Sequence, residues 1–280
     1  MCSSGLHALD YDDVLRWLNG HPTAPVMPAI LALAEHRGDG GRALIEAFVA
    51  GVETESRIGI MMGEGHYAKG WHATATIGHF GAAAGAAKLL DLDRNQIAIA
   101  LGIAGTQAAG LKSMFGTMCK PMHAGKAAQN GLFGAQMAAR GFTSRTDVLE
   151  TSQGFGDTQT DTFAASAALE GLGERYLLPQ SRFKYHAACY GTHGPIDAAA
   201  QVRANAAFDG DQIERIEIRV LTRNLRVCNI QTPATGLEAK FSLRFTVSLA
   251  LLGVDTGRLD TFDDAIPAPA HPGGLVPRDP

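Results

Sequence analysis

The chain has 280 residues and a formal net charge of −4 at pH 7, with 46% hydrophobic and 19% charged residues. That is enough chain for one large or two ordinary domains with a sizeable core, and the composition excludes a disordered protein. No basic block marks a nucleic-acid or anionic-membrane surface, and no run of about eighteen apolar residues could cross a bilayer.

The N-terminus has no charged segment followed by an apolar run, so no signal peptide is read there. The four cysteines, Cys2, Cys119, Cys189 and Cys228, form no C-x2-C pair, which argues against a zinc ribbon. The expectation is a cytoplasmic enzyme with free thiols.

In chain order, residues 26–62 carry apolar groups at helical spacing. They are interrupted at Gly38-Asp39-Gly40-Gly41, which predicts a helix pair. Residues 74–92, 94–110 and 123–140 each predict a further helix rich in Ala and Gly. Small faces let helix backbones approach closely, so these predict a tight bundle. Glycine inside a helix costs about 0.5–1 kcal/mol against alanine, so close packing or substrate access must compensate.

The pattern changes after about residue 180. Residues 195–207 and 241–252 read as helices. Between them Ile216, Ile218 and Val220 alternate with Glu217 and Arg219, which predicts a strand with one wet face. The fold class is therefore mainly α: an Ala/Gly-rich helical bundle domain over 1–180, then a partial α/β lid domain over 181–265. The last fifteen residues, 266–280, hold five of the twelve prolines and are expected to be a disordered tail.

Four segments could carry chemistry. Asp10-Tyr11-Asp12-Asp13, with His21 after it, is either a solvated helix N-terminus or an acid aimed into a cleft. His72, between Trp71 and the threonines Thr74 and Thr76, precedes a helix that Thr74 could cap, leaving the imidazole available. Its offsets from His66 and His79 do not make a two-ligand helix face. Lys120 and His123, around Pro121, are expected at the end of a loop and the start of a helix, a natural carboxylate or phosphate site. His186, Cys189 and His193 precede a predicted Gly194-Pro195 break and helix. A Cys/His nucleophile there lacks any mark of an oxyanion hole.

Taken in order, Asp10-Tyr11-Asp12-Asp13 with His21-Pro22, Gly70-Trp71-His72-Ala73-Thr74, Gly102 to Gly110, Lys120-Pro121-Met122-His123 to Gly131, and Glu238-Ala239-Lys240-Phe241-Ser242-Leu243 resemble the MmgE/PrpD family. The family includes 2-methylcitrate dehydratase, cis-aconitate decarboxylase and iminodisuccinate epimerase. The resemblance covers about residues 5–252. It implies an all-helical domain lacking the family's first helices, a partial α/β lid domain, and a homodimer with no metal and no organic cofactor.

It also implies catalytic roles for His72, Lys120, His193 and Asp10, and substrate contacts from His21, Lys120, His123 and Thr74. Val14 and Phe245 stand where the decarboxylase pattern has hydroxyl-bearing residues. The implied activity is a hydro-lyase dehydrating a small hydroxy-polycarboxylic acid of the 2-methylcitrate type, in propionate metabolism. An epimerase, isomerase or decarboxylase is the alternative within the family. An inactive truncated ligand-binding or interaction protein is the alternative outside it. Neither nucleic acid nor membrane is an expected partner.

Overall fold

Helices in this protein meet through alanine and glycine, and that decides how near their backbones come. A computed structural model describes residues 5, 7–205 and 212–264. The chain divides into two units. The first holds Asp12–Ser113 and Cys119–Phe183 with the described residues before Leu9; the second holds Leu9–Tyr11, Met114–Met118 and the chain from Lys184. The predicted tail, 266–280, lies outside the described residues.

In the first unit α1 (Thr23–Arg37) ends on Gly38, whose φ of 76° closes the helix with a left-handed cap. Helix α2 (Gly41–Ala68) follows, so the expected break between two helices is where the glycines stand. The segment expected as one helix over 74–92 is two: a single turn, α3 (Ala73–Thr76), and α4 (Gly78–Leu89). Helix α5 (Arg94–Gly105) starts at a capping box, Asp93 with Gln96. Helix α6 (Cys119–Ala139) begins earlier than expected. Pro121 does not hold Lys120 in a loop, because a first-turn residue needs no intrahelical N–H partner.

Helix α4 is the centre of this unit. Every residue of it except Lys88 is buried, and it packs on α1, α2, α5 and α6. A Cβ at Gly131 of α6 would lie 2.5 Å from Ala82 Cβ and 2.7 Å from both His79 O and Ala83 N. The two helices therefore touch backbone to backbone. Helix α2 breaks at Gly63, which has φ 62° and ψ −167°. The hydroxyls of Thr160 and Thr162 donate to the Met62 carbonyl at 2.7 and 3.0 Å, and Thr162 Oγ1 accepts from Gly65 N. Arg57, buried on α2, donates to the carbonyls of Ala168, Glu170, Gly171 and Arg175 and so pins the 168–175 loop.

In the second unit α7 (Tyr190–Asn205) packs against α8 (Leu243–Leu252). Helix α7 does not break at Gly194-Pro195, as expected, but runs through it. Pro195 leaves the Gly191 carbonyl without its helical donor, and Asn224 Nδ2 donates to that oxygen at 3.2 Å. Residues 213–221 form no strand, which corrects the sequence reading: among the described residues there is no sheet, only isolated bridges. The predicted alternation survives as burial. Ile216 and Ile218 pack against Ile196, Val247 and Leu251, while Glu217 and Arg219 are exposed. Period two sets which face is apolar, but a strand also needs a partner backbone. The fold is mainly helical.

Gly131→Ala gains up to about 1 kcal/mol of helix propensity. We expect it nonetheless to lower the unfolding free energy by about 1–3 kcal/mol, because the added methyl meets backbone on α4. Chemical denaturation measures this; an unchanged or raised midpoint would contradict the close-packing account.

Candidate active site

Four imidazoles converge inside the first unit. His72 N-caps α3 through its backbone, without a side-chain cap bond, and His72 N donates to Gly110 O at 3.0 Å. Its ring lies under α6, where His123 stands one turn into the helix. His72 Nδ1 and His123 Nδ1 are 3.1 Å apart, with ring centroids at 5.3 Å. His7 stacks on His72 at 5.5 Å and tilts against His21 at 4.9 Å. All but His21 are buried, and so is Lys120.

Carboxylates hold the outer two rings. Asp12 pairs with His7 Nδ1, and its Oδ2 lies 3.5 Å from His21 Nδ1. His21 Nδ1 donates to the Asp13 carbonyl at 2.8 Å, and His21 N donates to Thr74 Oγ1 at 3.1 Å. Thr74 therefore does not cap its helix, as expected from sequence; its hydroxyl seats His21. The Asp13 carboxylate accepts from Thr23 N and Thr23 Oγ1. Burial still raises its pKa to about 6.

The electrostatics favour neutral rings. Burial, with the nearby charges of His7, Lys120, His123 and His21, holds His72 well below the usual histidine range. Burial, His7 and Lys120 lower His123 as well. Two neutral imidazoles joined Nδ1 to Nδ1 must adopt opposite tautomers, since one nitrogen donates and the other accepts. The donor ring then carries a basic Nε2, and the acceptor ring carries an Nε2–H. One hydrogen bond thus prepares a base and an acid together, with the buried cation Lys120 beside them.

The other expected residues fall elsewhere. Asp10, at φ 56°, lies in the second unit, where Lys184 Nζ is 3.2 Å from Oδ1 and Lys240 Nζ 3.8 Å from Oδ2. The carboxylate beside His21 is that of Asp12, and the buried Asp10 is matched to two lysines. His193, on α7, contacts the rings of His186 and Tyr190, and burial lowers its pKa to about 4. His66 and His79 are core histidines. His66 meets Thr76 Oγ1 and Gln159 O, and His79 meets Ala75 O and Asn130 Nδ2.

Sequence reasoning passed over His7, Lys184, Lys240 and Glu55. Glu55 had a signal, an acid on the apolar face of α2 between Val52 and Met62. It is wholly buried near Asp13, neither oxygen has a hydrogen-bond partner among the described residues, and burial raises its pKa well above 4.5. His7, Asp12 and His21 also offer ligand atoms within 4.8 Å of one another, the spacing a metal ion would need. Their Nδ1 atoms already serve Asp12 and the Asp13 carbonyl, which fits a hydrogen-bonded cluster better than an ion site through those nitrogens.

Residues 2–167 match the MmgE/PrpD N-terminal domain and residues 186–270 the MmgE/PrpD C-terminal domain. The cis-aconitate decarboxylase of Homo sapiens is 30% identical over 259 residues, covering 88% of this chain and 53% of its own. That of Aspergillus terreus is 28% identical over 295 residues, covering 95% and 59%. The cis-aconitate decarboxylase-like protein oryM of Aspergillus oryzae is 32% identical over 231 residues, covering 76% and 48%. The chain spans about half the length of these curated relatives.

A raised Glu55 pKa makes a signed prediction. Above pH 4.5 the unfolded chain releases this proton while the folded protein keeps it. Stability from this group is complete below that pH and is lost as pH rises toward the folded pKa. Glu55→Gln should therefore flatten the fall in unfolding free energy between pH 5 and 8, by up to about 1.4 kcal/mol per pH unit. Denaturation series at several pH values read this; parallel curves for both proteins would refute a protonated Glu55.

Proposed function

The chain belongs to the MmgE/PrpD family, and from that premise we propose that it is a cofactor-independent lyase acting on a small polycarboxylic acid. The observation that carries the reading is the buried Nδ1-to-Nδ1 pair of His72 and His123 in one cluster with Lys120. Dehydrating a β-hydroxy polycarboxylate needs a base for the α-proton and an acid for the departing hydroxyl. It also needs a cation for the carboxylate on which charge accumulates. The paired tautomers supply the first two and Lys120 the third.

In this reading the basic Nε2 takes the α-proton while the other ring's Nε2–H is given to the hydroxyl, which leaves as water. The proton within the Nδ1 pair can shift toward the ring that has given up its Nε2 proton. Asp12, Asp13 and Thr74 position His21 at the edge of the cluster. Asp10 and His193, which the resemblance also implicates, sit in the second unit with Lys184, and the reading does not depend on them.

The substrate class follows from Lys120 and from acid–base chemistry at a carbon next to a carboxylate; a 2-methylcitrate-like acid is the first choice. Decarboxylation of cis-aconitate is the second reading, favoured by the names of the relatives. Val14 and Phe245 weigh against it, since neither carries a hydroxyl. We further propose a cytoplasmic homodimer.

Lys120→Ala is expected to keep its circular dichroism and lose citrate-like binding by roughly 30-fold or more, about 2 kcal/mol. Retained affinity by calorimetry would sink the reading. His123→Asn should lower kcat by about 10²–10⁴. Proton NMR in deuterated buffer with 2-methylcitrate, cis-aconitate and iminodisuccinate separates the chemistries. Net loss of water supports dehydration and loss of carbon dioxide supports decarboxylation, whereas exchange without conversion indicates epimerisation. Dialysis against a chelator should leave turnover unchanged; loss restored by a divalent ion would move His7, Asp12 and His21 from hydrogen-bonded cluster to metal site.

A further inference from the structure

Two of the cysteines meet in the second unit. Cys189 and Cys228 are 39 residues apart in sequence, and their Sγ atoms are 3.1 Å apart, closer than two sulfurs rest without a shared proton. Both stand on anchored backbone. Cys189 N donates to Lys240 O at 3.0 Å. Cys228 N donates to Asn224 O at 2.7 Å, and Leu243 N donates to Cys228 O at 2.8 Å. A Cβ at Gly191 would lie 2.9 Å from Cys228 Sγ, so the glycine leaves the space the sulfur fills.

We propose that Cys189 and Cys228 form a redox pair that a hydroperoxide closes into an intramolecular disulfide. The sulfurs need to approach by about 1 Å to reach the bond length of about 2.05 Å. Accessibility sets the order of events. Cys189 is half-buried and meets the oxidant, while Cys228 is fully buried and reaches only Cys189.

The Cys189 thiolate attacks one peroxide oxygen, the O–O bond breaks, and the sulfur becomes a sulfenic acid as the other oxygen leaves as water or alcohol. Cys228 Sγ then attacks Cys189 Sγ. The S–OH bond breaks, water leaves, and the Cys228 proton goes with it. Two thiols and one hydroperoxide thus give one disulfide, one water and one water or alcohol.

Three features favour this order. The Cys228 S–H points at Cys189 Sγ and stabilises negative charge there. That same hydrogen bond, with burial, holds the Cys228 thiol well above its ordinary range, which reserves it for the second step. Lys184 acts on Cys228 in the opposite direction, favouring its thiolate for the second step. The closed bridge would tie the residue preceding α7, the helix bearing His193, to the turn that follows Thr222–Leu225.

The test uses the intact protein. It is reduced, treated with equimolar hydrogen peroxide, alkylated with N-ethylmaleimide and digested with trypsin without reductant. The expected product is peptide 185–203 joined to peptide 227–240, lighter by two hydrogens than the sum and separated by dithiothreitol. Cys119→Ser should leave this linkage unchanged. Cys228→Ser should instead yield a Cys189 sulfenic acid that dimedone captures. Alkylation of both thiols after peroxide would overturn the proposal, as would a Cys189 sulfinic acid beside an alkylated Cys228, or a bridge to Cys119 or Cys2. The wild-type peptide map decides the matter even if a variant fails to fold.

Discussion

The closeness of α4 to its neighbours is the constraint on which the first unit depends. Where Gly131 faces Ala82, a methyl would already be too large. Helices that meet backbone to backbone exclude water from the spaces between them, and a charge there loses its hydration. His72, His123, Lys120, Asp13 and Glu55 all lie in or beside such spaces. Tight packing and shifted protonation thus have one cause. The burial that this dense bundle imposes also favours the neutral forms of His72 and His123 and opposes ionisation of Asp13 and Glu55.

That cause gives the histidine cluster its chemical character. An exposed imidazole pair would exchange protons with solvent and keep no fixed tautomer. Buried and joined through Nδ1, His72 and His123 divide acid and base between their outer nitrogens. Asp12 and the Asp13 carbonyl then orient His7 and His21. The buried carboxylate Asp10 is matched instead by Lys184 and Lys240 in the second unit, as a buried charge must be matched. Glu55 is the exception that shows the rule: with neither oxygen hydrogen-bonded among the described residues, burial holds its pKa well above 4.5.

Helix ends and interruptions follow a related logic of replacing lost partners. The break at Gly63 is stabilised by two threonine hydroxyls on the Met62 carbonyl. The carbonyl freed by Pro195 is taken by Asn224. In each case a backbone group deprived of its helical partner is satisfied from a distant part of the same unit. A reading confined to neighbouring residues expects the helix to stop at such a proline; tertiary contacts let α7 continue.

What the sequence by itself determined is the part governed by local spacing. The helical periods, the glycine break after Arg37, the small-residue faces and the ordered motifs of an MmgE/PrpD chain are all legible there. So are His72, Lys120 and His123 as candidate positions, because they sit in those motifs. Only the tertiary structure decided which groups meet. It joined His7 to Asp12, gave Asp10 to Lys184, turned Thr74 toward His21, and brought Cys189 to Cys228 across 39 residues. It also left the alternating Ile216–Val220 segment without a partner strand among the described residues. Period and propensity are properties of a few consecutive residues. Hydrogen-bond partners, tautomers and desolvation depend on groups that the chain brings together from far apart.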